Sequence, residues 1–111
     1  MKPKKETAES PVLWRPKASR VKSALITRFM RETGAKYGRK IDDYDALHAF
    51  SVERSADFWR DLFAFTGVIH EGSVERVIAD PEKMPGASFF PDVKLNFAEN
   101  LLRQSGKRPA I

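Results

Sequence analysis

Residues 84–103 read MPGASFFPDVKLNFAENLLR, and their order of turn, aromatic pair, second turn and helix start decides how the rest of the chain is read. Pro85-Gly86 marks the first turn and Pro91-Asp92 the second, because proline presets φ and glycine admits left-handed backbone. Between them, Phe89 and Phe90 occupy a stretch too short and too interrupted for a long helix. Asn96 then opens a helix that closes near Gly106. Its side-chain oxygen can accept from an orphan amide of the first turn, and Glu99 completes an N-x-x-E variant of the capping box. Phe97, Ala98, Leu101 and Leu102 are expected to form its buried face. The run reads as a docking segment, not an active site.

Upstream, the pattern is helical. Ser19 is expected to cap a helix in which Val21, Leu25 and Phe29 recur every four residues, joined by Ala24 and Met30, and Gly34 or Gly38 ends it. Asp42 or Asp43 opens a short second helix carrying Tyr44, Leu47 and His48, with its acidic run at the positive end of the helix dipole. Ser55 is expected to cap a third, which ends before Gly67 and presents Phe58, Trp59, Leu62 and Phe63 on one broad face. Aromatics at that spacing read as core, so this helix should carry the core and Trp59 should be buried. Val68-Ile69 and Val74 to Ile78 are short β-type runs. The fold class is α+β, mostly helical.

Composition limits what such a chain can do. Its 111 residues suit one domain without a large core. There is no cysteine, which removes disulfides and thiolate metal sites and fits a reducing compartment. The longest apolar runs, such as Leu62-Phe63-Ala64-Phe65, are far too short to span a bilayer, and Met1 to Ser10 lacks the apolar core of a secretory signal. A cytoplasmic protein with no membrane partner is the simplest reading. The net charge of +5 is unevenly spread: residues 1–40 hold 12 Lys/Arg against 3 Glu, and residues 41–111 hold 8 Lys/Arg against 12 Asp/Glu. The basic balance belongs to a proline-containing arm and the first helix, a solubilising pattern and not a nucleic-acid motif. Trp14 is the exception within the arm, an apolar area large enough to pack onto a surface.

Candidate chemical sites dissolve on inspection. Gly34 to Lys40 suggests a phosphate loop, but three residues separate its glycines and Ile41, not Ser or Thr, follows Lys40. Asp42, Asp43 and Asp45 are better read as helix-capping charges than as an acid–base pair. His48 and His70 lie 22 residues apart with no thiolate to complete a metal site, and no serine or acid is spaced to make His48 a triad base. Asn96 and Glu99 are absorbed by the cap, which leaves Asn100 without a role. No catalytic, cofactor-binding or metal-ligating residue is assigned.

Four separated stretches, in order, resemble the N-terminal domain of the acetyl-CoA and acetoacetyl-CoA synthetases of the adenylate-forming family, the latter more closely. Trp14-Arg15-Pro16 is similar to that family's Leu-Trp-x-Pro segment, and Tyr44 to Glu53 to its Tyr-x-x-Leu-His-x-Trp-Ser-Val-Glu. Phe58-Trp59 falls at its Phe-Trp pair, and the run from Met84 at its Trp-Phe-Pro-Gly turn and Leu-Asn-x-Ala-x-Asn helix. Phe50 and Phe89 stand where the family usually shows Trp, Asp92 replaces the turn glycine, and Glu99 to Arg103 replaces the Leu-Asp-Arg-His ending of acetyl-CoA synthetases. The resemblance covers about Val12 to Ile111. It implies an extended arm over residues 1–18, a helical synthetase domain over 19–105 and, over 106–111, the start of a large adenylate-forming domain that the sequence truncates. It also implies a parent acid–thiol ligase of lipid metabolism that uses ATP, magnesium and CoA, whose phosphate loop and catalytic lysine lie outside these residues. The expected partner is that large domain, met through Trp14, Phe89, Phe90 and Leu95. Two readings from other classes are a small basic nucleic-acid-binding domain and a free-standing helical adaptor.

Overall fold

The computed structural model describes residues 10–109. Five helices and one two-stranded ribbon follow one another as α1 (Ala18–Ser23), α2 (Leu25–Tyr37), α3 (Tyr44–Glu53), α4 (Ser55–Thr66), β1 (Ile78–Ala79), β2 (Ser88–Phe89) and α5 (Phe97–Leu101). The architecture is the expected small α+β, mostly helical fold. Expectations for residues 1–9 and for Ala110-Ile111 lie outside the described residues.

The core lies among α2, α3 and α4. Phe29, Ile41, Leu47 and Phe50 are buried together, with Tyr37, Phe58, Leu62 and Phe65 packed against them. Phe29 meets Phe58 and Phe65 edge to face at 5.9 and 5.2 Å between centroids, and Phe50 meets Phe58 at 6.5 Å; such pairs add to the gain from burial itself. Gly34 permits this closeness. It is buried inside α2, and a Cβ there would stand 2.7 Å from the Arg39 carbonyl oxygen. The helix ends four residues later, at Gly38, in left-handed backbone (φ 61°).

Several expectations are corrected. The single helix expected from Ser19 is two, broken at Ala24, whose ψ of 143° is extended; Lys17, not Ser19, occupies the cap position of α1. The Thr27 hydroxyl donates to the Val21 carbonyl at 2.6 Å and Ser23 to that of Arg20, so side chains take backbone acceptors that a continuous helix would use. Val21 and Leu25 are exposed and give no core force to keep one axis. Asp43 caps α3 as expected, accepting from the Ala46 amide at 2.8 Å. Ser55 does not cap α4: Arg54 holds that position without a side-chain cap, and α3 runs almost directly into α4.

The third predicted helix does not carry the core alone. No α4 residue is buried, and Trp59 is 38% exposed. Its neighbours Phe58, Leu62 and Phe65 face the core, and the row displaced by one residue, with Trp59 and Phe63, faces elsewhere. Neither Val68-Ile69 nor most of Val74 to Ile78 forms a strand. Only Ile78 does, with Ala79, pairing antiparallel with Ser88-Phe89, which had read as a turn-bounded aromatic run. Helix α5 stops at Leu101 instead of near Gly106, and its expected buried face is open, with Phe97 75% exposed. A five-residue helix has little cooperative strength of its own, and among the described residues this one lacks an apolar cover.

Phe50 is completely buried whereas Trp59 is not, so their truncations should differ in sign of importance from the sequence expectation. Phe50→Ala should cost about 3–5 kcal/mol, the range for deleting a buried aromatic, and Trp59→Ala clearly less. Urea denaturation of the two variants checks this; an equal loss would place the core on the wrong row of α4.

Candidate functional site

The outward row of α4 forms one wall of an open apolar hollow of about 460 Å³, completed by Val68, Phe89, Phe90 and Leu95. Two aromatic contacts build it. Trp59 meets Phe89 edge to face at 5.7 Å, and Phe63 lies tilted against Phe90 at 4.6 Å. Successive residues can both face one row of α4, a turn apart, because Phe90 takes left-handed backbone (φ 48°). That conformation is rare for a bulky side chain and has to be held in place by its surroundings.

Several ties hold it. The Phe90 amide donates to the Val77 carbonyl at 2.7 Å, and Val77 is buried. Arg76 grips Asp92 with two parallel bonds, Nε to Oδ2 at 2.8 Å and an Nη2 to Oδ1 at 2.6 Å, the bidentate form that adds geometric definition to a charge pair. Glu71 and Lys94 exchange backbone hydrogen bonds at 2.8 and 2.9 Å. Gly72 lies beside that bridge with φ 93°, and a side chain there would collide with the Asp92 carbonyl.

The two residues that fasten the C-terminal side were not legible as such. Asn100, left without a role by the sequence, accepts from the Ile69 amide at 2.8 Å and donates to the Ile69 carbonyl at 3.0 Å. Its amide thus stands in for the neighbouring strand that Val68-Ile69 lacks. Arg103 donates to the carbonyls of Gly67 and Thr66 at 2.6 and 3.1 Å, neutralising the negative end of α4. Asn96 caps α5 as expected, accepting from the Glu99 amide at 3.2 Å.

The structure brings three of the four expected docking residues to the hollow. Phe89 is 51% exposed, Leu95 is exposed and Phe90 is partly covered. Trp14 is not with them. It is exposed on the wall of a different groove beside Val21, Ile26 and Tyr44.

The polar candidates have structural surroundings. His48 is exposed and stacked on Tyr44, while His70 points Nδ1 at the Val68 carbonyl and packs on Phe63. Among the described residues no three His, Cys, Asp or Glu side chains gather as metal ligands. Lys36 bonds Asp61 at 2.6 Å between α2 and α4; that hydrogen bond raises the lysine's pKa. Burial, before the nearby Asp61, raises that of Tyr37. Among the described residues no helix is long and apolar enough to cross a membrane.

No protein-family model matches the chain. Curated relatives do. The acetoacetyl-coenzyme A synthetase of Rhizobium meliloti is 40% identical over 104 residues, which is 94% of this chain and 16% of the relative. That of Macaca fascicularis is 32% identical over 90% of this chain and 15% of its own length. A malonamoyl-CoA synthetase of Penicillium aethiopicum is 33% identical over 82% of this chain and 12% of its own. Among solved structures, acetoacetyl-CoA synthetase from Streptomyces lividans superposes with a TM-score of 0.70 at 36% identity, over 81% of this chain and 14% of that one.

The chain belongs to the acetoacetyl-CoA synthetase family. It spans about one-sixth of the length of the synthetases it matches, and the fold just described is that of a segment of them.

Asp92 supplies a pH test of the hollow's support. The Arg76 hydrogen bonds hold its carboxyl below the usual carboxylate range. Because the folded value is the lower one, the contribution to stability is present above the unfolded carboxylate pKa, near 3.9, and is lost as pH falls through the folded value. Carbon-detected NMR titration should give Asp92 a midpoint below that of free aspartate, and Arg76→Met should return it to the ordinary value. An Asp92 midpoint unmoved by Arg76→Met would mean that the grip is absent in solution.

Proposed function

We propose that this chain is the N-terminal docking segment of an acetoacetate–CoA ligase, covering apolar surface on the large adenylate-forming domain without supplying catalytic, cofactor-binding or metal-binding side chains. Residues 1–18 act as the arm, 19–105 as the docking domain, and 106–111 as the approach to the large domain. The whole enzyme would couple ATP, acetoacetate and CoA to AMP, pyrophosphate and acetoacetyl-CoA with magnesium in the cytoplasm. The acid is acetoacetate by the names of most of the relatives, and the malonamoyl relative shares the same segment.

The observation that carries this reading is uncovered apolar surface on a chain matching one-sixth of its relatives. Large apolar side chains stand open along it: Trp59, Phe89, Leu95, Phe97, Leu101 and Leu102 are each 38–75% exposed. Its radius of gyration is 18.9 Å, against roughly 13 Å for a compact body of this length. The hollow is the best-formed part of that surface. Its walls are preorganised by Arg76, Asn100 and Arg103, so an apolar side chain from the large domain would enter it with little further ordering.

The coding sequence should continue beyond Ile111, and a stop codon there contradicts the reading. Purified alone with ATP, magnesium, acetoacetate and labelled pyrophosphate, the chain should give no exchange of label into ATP; reproducible exchange would place chemistry within these residues. Phe89→Ser with Phe90→Ser should reduce hydrophobic-dye binding by the chain and destabilise the full-length synthetase by roughly 2–3 kcal/mol for each ring, the scale of a buried large apolar side chain. Unchanged thermal unfolding of the full-length double variant would mean that the hollow stays empty.

A further inference from the structure

The docking surface just proposed leaves a second face unexplained. Residues 10–31 contain six Lys/Arg and no Asp or Glu. Interleaved with those charges are exposed apolar side chains: Trp14 is 74% exposed and Leu25 64%, with Val21 and Ile26 about half exposed. The break at Ala24 bends α1 away from α2, and the angle opens a groove of about 440 Å³ lined by Trp14, Val21, Ile26, Met30 and Tyr44. No lining residue is shared with the hollow between α4 and β2.

Charges on this face are unspent. Among the described residues, Arg15, Lys17, Arg20, Lys22 and Arg31 form no ion pair with a carboxylate, and Arg28 reaches Glu32 only at 3.7 Å. The two carboxylates on the groove wall are already engaged. Asp43 caps α3, and Asp42 lies 3.5 Å from Lys40. Arg20 lines the groove, and Arg15 and Lys17 adjoin its Trp14 and Pro16 in the chain; unpaired cations beside an apolar centre have the anatomy of an interface with a complementary acidic rim.

Such a face also suits an anionic lipid surface, and two observations favour a protein. The match to the Rhizobium synthetase covers 104 of the 111 residues, so it begins by residue 8 and includes all of 10–31. The face therefore belongs to the shared segment, whose common surroundings are the rest of the synthetase chain. The open apolar surface points the same way. Large apolar side chains are exposed both here and around the hollow, on faces with no lining residue in common, so a single contact would leave one of them uncovered.

We infer that the basic face of residues 12–31 is a second docking site for the same large domain, received by a surface with an apolar centre and an acidic rim. This rests on the docking reading above and adds to it a site and the chemistry of the counter-surface. The large domain would then hold the segment from two sides, through the hollow and through the groove at the α1–α2 bend.

Hydroxyl-radical footprinting of the full-length synthetase against the 111-residue chain tests it, since oxidation reports side-chain exposure residue by residue. Oxidation of Trp14 and Ile26 should fall on the order of tenfold in the full-length protein, as expected for side chains moving to an interface core, together with that of Phe89 and Leu95. In 1 M salt, where the screening length is about 3 Å, Trp14 should regain reactivity while Phe89 stays protected. Protection of Phe89 and Leu95 alone overturns the second site and leaves the docking reading standing. Protection of neither pair overturns both. Salt-insensitive protection of Trp14 overturns the acidic rim, and protection that appears only with phosphatidylserine vesicles assigns the face to lipid instead.

Discussion

The hollow takes its position from the packing of Phe50 in the core. That ring is completely buried, meeting Tyr37 at 5.3 Å and Phe58 at 6.5 Å, and it fixes the rotation of α4 about its own axis. Residues 58, 62 and 65 then face inward. The adjacent row, with Trp59 and Phe63, must face outward, because rows on a helix are set by its period and cannot turn independently. Once Trp59 and Phe63 point outward, Phe89 and Phe90 have rings to meet and the hollow follows. Arg54 adds to the same joint from outside, bonding Asp57 at 2.6 Å and lying over the Tyr37 ring.

The fold was legible where one element's own residues decide its geometry. Asp43 and Asn96 announce their helices because a cap is a bond between a side chain and an amide three residues away, and Gly67 ends α4 for an equally local reason. The sequence misled where partners are distant. Trp59 has the spacing of a core residue, but spacing does not say which of two adjacent apolar rows wins the interior. Val68-Ile69 has strand-like composition, yet its backbone is satisfied by the Asn100 amide from 31 residues away. Phe89 was recognised as exposed-prone docking surface, while its pairing with Ile78 required the turn between them to be solved in three dimensions. Trp14, expected to meet the same partner as Phe89, Phe90 and Leu95, stands in a separate groove, because a residue's apolar character does not say which face it lies on.

The same exposure marks apolar surface that the described residues do not cover. Phe97 and Leu101 on α5, and Leu102 just after it, are all exposed. An apolar stripe with no cover contributes nothing to stability until something buries it. A segment with its local geometry already set by Arg76, Asn100 and Arg103 loses little conformational freedom on docking. On the docking reading, covering it would convert directly into affinity between the segment and the remainder of a synthetase.

The heat-capacity change of that association tests the claim most directly, because burial of apolar surface has a negative ΔCp whatever the enthalpy does. Isothermal titration calorimetry of the 111-residue chain into the separately expressed remainder of the synthetase, repeated across temperature, should give saturable binding. The expected ΔCp is on the order of −0.5 kcal/mol/K, from roughly 0.45 cal/mol/K for each Å² of apolar area less the opposing polar contribution. Saturable binding with a ΔCp near zero, or no binding at any temperature, would contradict the account.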